Sequence, residues 1–490
     1  MTKSKTILFV THHNNDFDHF LPLIVNLKKE ERVDVKILAF YTKYEILKNR
    51  LHRHICDKHD ISLDSISDIF YFKWINFPIL KVYEHVIGNR KLSDPGKRII
   101  KGTTGQRGVI STIIKNIIVG FIKSPRGAVI SFLETVLLRY IVLCSIFLLT
   151  KRRIMNYLDS NSVDMLIIDQ RTIDETLIDT GPVTRFMNVF NERADPMDHL
   201  LFRFIKMGRE KGIPILMMPH GPQPISIPNI DAEKKVCVEE WVNPFRPDFL
   251  VVGNKNELLS LQIMRGIKST FLLGDPRFDI DWINYLECCA LKVYKNELTK
   301  PRGKTTLLYL MDIFTYIPEG NQEYKLEMHR DILSLVNDFE DLEIWVKHHP
   351  RHVYDIPIED FIHKDRQDTI RQFGNDIDTN ILLAHADICL SLSSTTFISP
   401  ILQRKPVIFY DRWKEKLQGV TSIYDDLQFK ASSKEELITQ YEVIVKGGYT
   451  IGDSFLESFY GNVFSMDSLS EGMVEKYIEK IEEIMEIDER

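Results

Sequence analysis

At 490 residues the chain is long enough for two or three domains with well-formed apolar cores. An apolar fraction of 44% and a charged fraction of 27% are those of a soluble globular protein, and a net charge of −6 argues against wholesale electrostatic binding of nucleic acid. The six cysteines form no CxxC pair and keep no regular spacing, so they indicate neither a zinc site nor a disulfide framework and point to a reducing, cytoplasmic setting.

The chain enters an apolar strand almost at once, at Thr6–Val10, which leaves no room for a signal peptide. Further strands are predicted at Val35–Phe40, Met165–Ile168, Pro214–Met218 and Phe249–Val252. A second series follows at Thr305–Leu310, Glu343–Val346, Asp387–Leu390 and Val407–Tyr410. Helical periodicity separates most of them, as at Leu326–Phe339, so the pattern is that of an α/β protein with parallel sheets covered by helices on both faces. The polar stretch Pro301-Arg-Gly-Lys304 falls between the two series and places the domain boundary there. The expected organisation is an N-terminal domain over residues 1–300, a C-terminal domain over 301–465 and a final helix within 466–490. That helix, Glu471–Arg490, carries Met473, Val474, Tyr477, Ile478, Ile481 and Ile484 on one side.

One segment departs from the average composition. Residues 97–153 hold eleven Lys and Arg against the single acid Glu134. Ile110, Ile113, Ile114, Ile117, Ile118 and Phe121 share one helical face, with Lys115 and Asn116 opposite. That is the pattern of a helix lying in an anionic membrane surface, and it predicts a protein held peripherally on the inner face of the cell membrane. A buried hairpin and a membrane span are the other readings of 109–150. Ala128–Thr150 has the length of a span but contains Glu134 and Arg139.

Functional residues are expected where apolar strands end in polar turns, because open parallel sheets bind ligands at their carboxyl ends. The first strand runs into Thr11-His-His-Asn-Asn-Asp-Phe-Asp-His19, which offers His12 and His13. No HExxH or comparable register accompanies these histidines, so no metal is expected. Asp169-Gln-Arg171 ends another strand, contributing Asp169 and Arg171. Met217-Met-Pro-His-Gly221 sets His220 just past a third, where an imidazole can act as general base, and Gly221 allows a ligand close to the backbone. In the second half, Trp345-Val-Lys-His-His-Pro-Arg351 gathers Lys347, His348, His349 and Arg351 at one strand end. Ser391-Leu-Ser-Ser-Thr-Thr396 brings Ser393, Ser394 and Thr395 to another. Cations at one turn, hydroxyls and amides at the other, suit a phosphorylated ligand such as a nucleotide-activated donor. Neither GxGxxG nor GxxxxGK[ST] is present, which argues against a dehydrogenase or a P-loop enzyme.

In order along the chain, His220-Gly221, Gly274-Asp-Pro-Arg-Phe-Asp279, His349-Pro350, Ser393-Ser394-Thr395, Lys405-Pro-Val-Ile and Ser458-Phe-Tyr-Gly-Asn462 resemble landmarks of the GT-B transferases of bacterial surface-glycan assembly. The similarity is to the CDP-glycerol glycerophosphotransferase (teichoic acid polymerase) family and to the CMP-sugar sialyl- and Kdo-transferases of capsule synthesis. It spans roughly residues 214–480. It implies two Rossmann-like domains facing a cleft, with the acceptor in the first and the donor in the second. His220 would then be the base, with Gly221, Arg277, His12, His13, Asp169 and Arg171 on the acceptor side. The donor would be CMP- or CDP-linked, the acceptor a glycan or a lipid-linked molecule, and neither metal nor cofactor would be needed. The sequence departs from the polyol-phosphate transferases at Ser391-Leu392, Phe397-Ile398 and Leu310-Met-Asp-Ile-Phe314, which shifts weight from glycerol phosphate towards a sugar. A UDP-sugar glycosyltransferase, a UDP-N-acetylglucosamine 2-epimerase-like enzyme and a non-catalytic membrane-associated scaffold are the competing readings.

Overall fold

The structure, a computed structural model, describes residues 4–11, 14–29, 33–39, 43–65, 151–169, 196–219, 247–255, 267–295, 297–300, 302–311, 322–349, 360–374, 377–392, 395–410, 427–466, 468–470 and 472–487. The basic segment up to residue 150 lies outside them, so the helical insertion expected there is not among the described elements.

Two parallel sheets organise the chain. The first is built from β1 (Lys5–Thr11), β2 (Val33–Ala39), β3 (Asp64–Ser65), β4 (Val163–Asp169), β5 (Ile215–Met218), β6 (Phe249–Val252) and β7 (Ser269–Leu272), in the order β3-β2-β1-β4-β5-β6-β7. The second holds β8 (Thr305–Leu310), β9 (Leu342–Lys347), β10 (Ile370–Phe373), β11 (Ile388–Ser391), β12 (Val407–Tyr410) and β13 (Phe429–Ala431), in the order β10-β9-β8-β11-β12-β13. Strand order therefore reverses between β1 and β4 in one sheet and between β8 and β11 in the other. This is the doubly wound plan, twice over, and it matches the two-domain GT-B arrangement expected from the sequence.

Alternation along the strands explains the layering. In β1, Ile7 and Phe9 face one apolar cluster while Leu8 and Val10 face another. The second cluster is completed by α4 (Lys151–Ser160) and α5 (Pro196–Glu210). In the second sheet Tyr309, Val346 and Ile408 face α7 (Gln322–Leu333), α8 (Leu335–Asp338) and α11 (Lys434–Gly447). The remaining faces of both sheets share one continuous core. It takes in α1 (Asn14–Leu27), α2 (Lys43–Lys48), α3 (Arg50–Lys58), α6 (Ile280–Val293), α9 (Thr379–His385), α10 (Ile398–Leu402), α12 (Asp453–Phe464) and α13 (Met473–Ile487). Apart from β2, the strands between the sheet edges are buried on both faces almost throughout, which is why they read as apolar runs.

Two elements tie the domains together. Helix α6 packs on α3 of the first domain and on α9 and α10 of the second. Helix α13 follows the second domain in sequence but docks on α1 of the first, where Lys5 Nζ donates to Met485 O at 2.8 Å. The apolar side foreseen for α13 is the buried one: Met473, Val474, Tyr477, Ile481 and Ile484 are in the core, with Ile478 packed against it.

Candidate functional site

Aspartates stitch the amino edges of both sheets. Asp164 accepts from Thr6 N at 2.7 Å, Asp248 from Ile215 N at 3.0 Å and Asp387 from Thr306 N at 2.9 Å. The buried polar groups of the first domain gather instead around its carboxyl edge. Thr11 ends β1, Asp169 ends β4 and Asn254 follows β6, all buried. Asp16 and His19 on α1 and Asp275 after β7 are buried as well. Buried polar groups of this density are costly in a core and are the usual mark of a functional surface.

The strands β1, β4 and β5 are consecutive neighbours, so the ends that lead into His12, Asp169 and His220 lie side by side at the point of reversal. His12, His13, Arg171, His220 and Gly221 themselves lie outside the described residues. Arg277 is described, in a short 3-10 turn, Pro276–Phe278, that packs on α1, α10 and α13. Asp275 is the focus of that turn. Its Oδ1 accepts from Arg277 N at 3.0 Å, and its Oδ2 lies 3.3 Å from Arg277 Nη2 and 3.5 Å from His19 Nδ1. Sequence reasoning chose Arg277 and passed over Asp275 and His19. Both stand within polar runs already singled out, and the burial that distinguishes Asp275 from the half-buried Arg277 is not written in the sequence.

In the second sheet β8 separates β9 from β11, so their terminal turns emerge about 10 Å apart. Ser391 is fully buried at the end of β11, and the half-buried Thr395 opens a 3-10 turn, Thr395–Phe397, that leads straight into α10. Ser393, Ser394 and Arg351 lie outside the described residues. Lys347 turns inward: its ammonium donates to Gly374 O and Ile377 O, fastening the end of β9 to the segment before α9. His348 is half-buried, with Nε2 2.6 Å from Gln372 Oε1 on β10, and His349 is half-buried beside it. Lys405 has a structural task, since its ammonium bonds the carbonyls of Leu383, Ala384 and Ala386 at the end of α9. Burial lowers the Lys405 pKa, and burial pushes the neighbouring Cys389 thiol up to about 12. Among the described residues no group of three or more His, Cys, Asp or Glu is placed to hold a metal ion.

The seam between the domains is polar around α3. Asn49 Nδ2 donates to Asp378 Oδ2 at 3.2 Å, and Arg50 bonds Glu297 at 2.6 Å and Val293 O at 3.0 Å. Buried His52 lies 2.5 Å from Asp18 through Nε2. Burial pulls its pKa down, but the charges of Asp18 and Asp378 outweigh that and leave it raised.

Residues 321–437 match the family model of capsule polysaccharide biosynthesis proteins. That interval contains both terminal turns of the second sheet. No curated protein matches the chain in sequence. Among solved structures, the UDP-GlcNAc 2-epimerase from Neisseria meningitidis bound to UDP-GlcNAc superposes with a TM-score of 0.47 at 10% identity, covering 98% of this chain and 100% of that one. The S. aureus MnaA–UDP structure gives 0.47 at 11%, covering 98% and 97%. The wall teichoic acid polymerase TagF, in a crystal soaked with CDPG, gives 0.46 at 13%, covering 99% and 90%.

Proposed function

We propose that the protein is a transferase of surface-glycan synthesis that moves a glycosyl or polyol-phosphate group from a nucleotide-activated donor, CMP- or CDP-linked, to a glycan or lipid-linked acceptor. The observation that carries this reading is the pair of turns after β9 and β11, which leave the same edge of the second sheet on either side of β8. The match to capsule polysaccharide biosynthesis proteins covers that same stretch. Charge grows on the donor phosphate as its bond to the transferred group breaks. Arg351 and His349 from one turn, and the Ser393–Thr395 hydroxyls and amides from the other, would stabilise it. Lys347 would contribute by fixing the end of β9 beneath them. His220, following β5 in the first domain, would take the proton of the acceptor hydroxyl. The basic segment 97–153 would bring the site to an anionic membrane surface where a lipid-linked acceptor resides.

The test is a thermal-shift and calorimetric screen of CMP, CDP, UDP and GDP. Stabilisation by a cytidine nucleotide is the expected result. Selective response to UDP, with epimer formed from UDP-N-acetylglucosamine, would replace this reading with the epimerase one. No response to any of the four would leave a scaffold.

A further inference from the structure

We infer that the polar seam at α3 is a proton-operated clasp between the two domains: with His52 charged it holds their carboxyl edges together, and with His52 neutral it lets them part. Chain order places the clasp. Strand β1 ends at Thr11 and leads into α1, which carries Asp18. Strand β2 ends at Ala39 and leads through α2 to Asn49 at the head of α3. In the second domain β10 ends at Phe373, and Asp378 follows at the head of α9. All three groups therefore stand at the carboxyl edges of their sheets, where open parallel sheets take their ligands. The second-domain side is fastened there, because Lys347 at the end of β9 donates to Ile377 O, one residue before Asp378.

His52 sits where the two sides meet. Its Nε2 lies 2.5 Å from Asp18 Oδ1, and its backbone N–H donates to Asn49 Oδ1, whose own amide reaches across to Asp378 Oδ2 at 3.2 Å. The elements around α3 supply Asp16 and Asp18 from α1, Lys48 from α2, Tyr294 and Glu297 after α6, and Asp378 from α9. Glu297 is taken up by Arg50. Burial pushes the Tyr294 hydroxyl up to about 12, so it stays neutral, and burial lowers His59 at the far end of α3. The charges that act on His52 are those of Asp18 and Asp378, one from each domain, and they outweigh the opposing pull of burial.

Neither protonation state is comfortable without both carboxylates. The Nδ1 of His52 is buried with no partner among the described residues. A charged ring there carries an unbonded N–H, and it lies in the first turn of α3, where the helix end repels a cation. The carboxylates offset those costs only while the seam is closed. Once the proton is lost, a closed seam keeps two carboxylates against a neutral ring and a bare buried nitrogen, and entry of water relieves both. The closed seam thus binds the proton more tightly than the open one. Falling pH closes it, and pH rising through the folded pKa releases it. Apolar packing of α6 on both domains and of α13 on α1 keeps the domains joined in either state.

The experiment is hydrogen exchange of the full chain at pH 6 and pH 9, read by mass spectrometry and divided by the intrinsic rate at each pH. The heads of α3 and α9 are capped by residues bonded across the seam, so their amides report its opening. In the wild type both heads are expected to lose protection together at pH 9, by roughly threefold or more. Helices α4 and α11, which cover the opposite faces of the two sheets, should keep theirs. His52→Gln should show the same protection at both pH values. Should that variant fail to fold, Asp18→Asn serves, since it keeps an acceptor for Nε2 but removes one charge, and it should shrink the step. An unchanged wild type, heads that respond separately, or a step that persists in folded His52→Gln or undiminished in Asp18→Asn each overturns the inference. Equal loss in α4 and α11 also overturns it, by making the effect one of global stability.

Discussion

Asn49 and Asp378 each cap a helix in a different domain, and they are hydrogen-bonded to one another. Asn49 Oδ1 accepts from Leu51 N and His52 N at the head of α3, while its Nδ2 donates to Asp378 Oδ2. Asp378 Oδ1 in turn accepts from Asn380 N at the head of α9. Two helix amino-termini are thus joined through one amide and one carboxylate, whose negative charge suits both positive ends.

Removing either cap should cost about 1 kcal/mol, the usual scale for an N-cap. Because the caps share a bond, Asn49→Ala and Asp378→Ala together should cost less than the sum of the two, by about 0.5–1.5 kcal/mol. Urea unfolding of the two single variants and the double variant measures this. Strict additivity would mean that the bond across the seam contributes nothing.

His52 makes the same seam sensitive to pH. Its folded pKa is raised above the ordinary value of 6.5 by Asp18 and Asp378, against the opposing pull of burial. A raised histidine stabilises the fold fully below its unfolded pKa and loses that contribution as pH rises through the folded one. The Tm difference between the wild type and His52→Asn should therefore be largest at pH 6 and should shrink as pH rises to 9. A difference that is flat or grows across that range would remove His52 as the source.

Gly274 has φ +78, and a Cβ there would stand 2.7 Å from Met473 Sδ. Gly274→Ala combines left-handed strain with overpacking and should cost about 1–3 kcal/mol. The loss should appear first as faster hydrogen exchange in α13, which rests on this turn. Slow exchange in α13 of the variant would disprove the link.

Two substitutions address the proposed chemistry directly. Arg351→Ala should weaken nucleotide binding by about 1.5–3 kcal/mol, the scale of a charge-assisted hydrogen bond. His220→Ala should lower turnover roughly 10²–10⁴-fold while nucleotide affinity stays near that of the wild type. Full activity in the second variant would leave His220 as a loop residue.

Membrane attachment through residues 97–153 should depend on charge as well as on apolar burial. Each basic residue near an anionic leaflet contributes about 1 kcal/mol, so sedimentation with anionic liposomes should fall at high salt. Replacing Lys115, Lys123 and Arg126 with Glu should release the protein. Binding to neutral liposomes that ignores salt would indicate a span, and no binding to either would indicate a buried hairpin. No helix among the described residues is long and apolar enough to cross a membrane.

The central strands were legible in the sequence, and the edges were not. Each strand anticipated is present with ends within two residues. The four that were missed, β3, β7, β10 and β13, are the outermost strands of the two sheets. An edge strand faces solvent on one side, so Ser269–Leu272 and Ile370–Phe373 lack the unbroken apolar run that marked the others. The site divided in a similar way. Loops rich in His, Ser and Arg announced themselves by composition, but Asp275 and Lys347 take their roles from what they touch. Nothing in a string of residues tells an inward lysine from an outward one, and Lys347 shows it by bonding two carbonyls of its own domain.

Helix α13 also bears on how the chain is made. The first domain buries Phe17, Phe20 and Ile24 in a core that includes Tyr477, Ile481 and Ile484. On the ribosome those partners are synthesised only after the whole second domain has been. The first domain must therefore wait, with part of its apolar surface uncovered, while roughly two hundred later residues are added, or tens of seconds at common elongation rates. The two domains are separate as sheets, yet they mature as one unit.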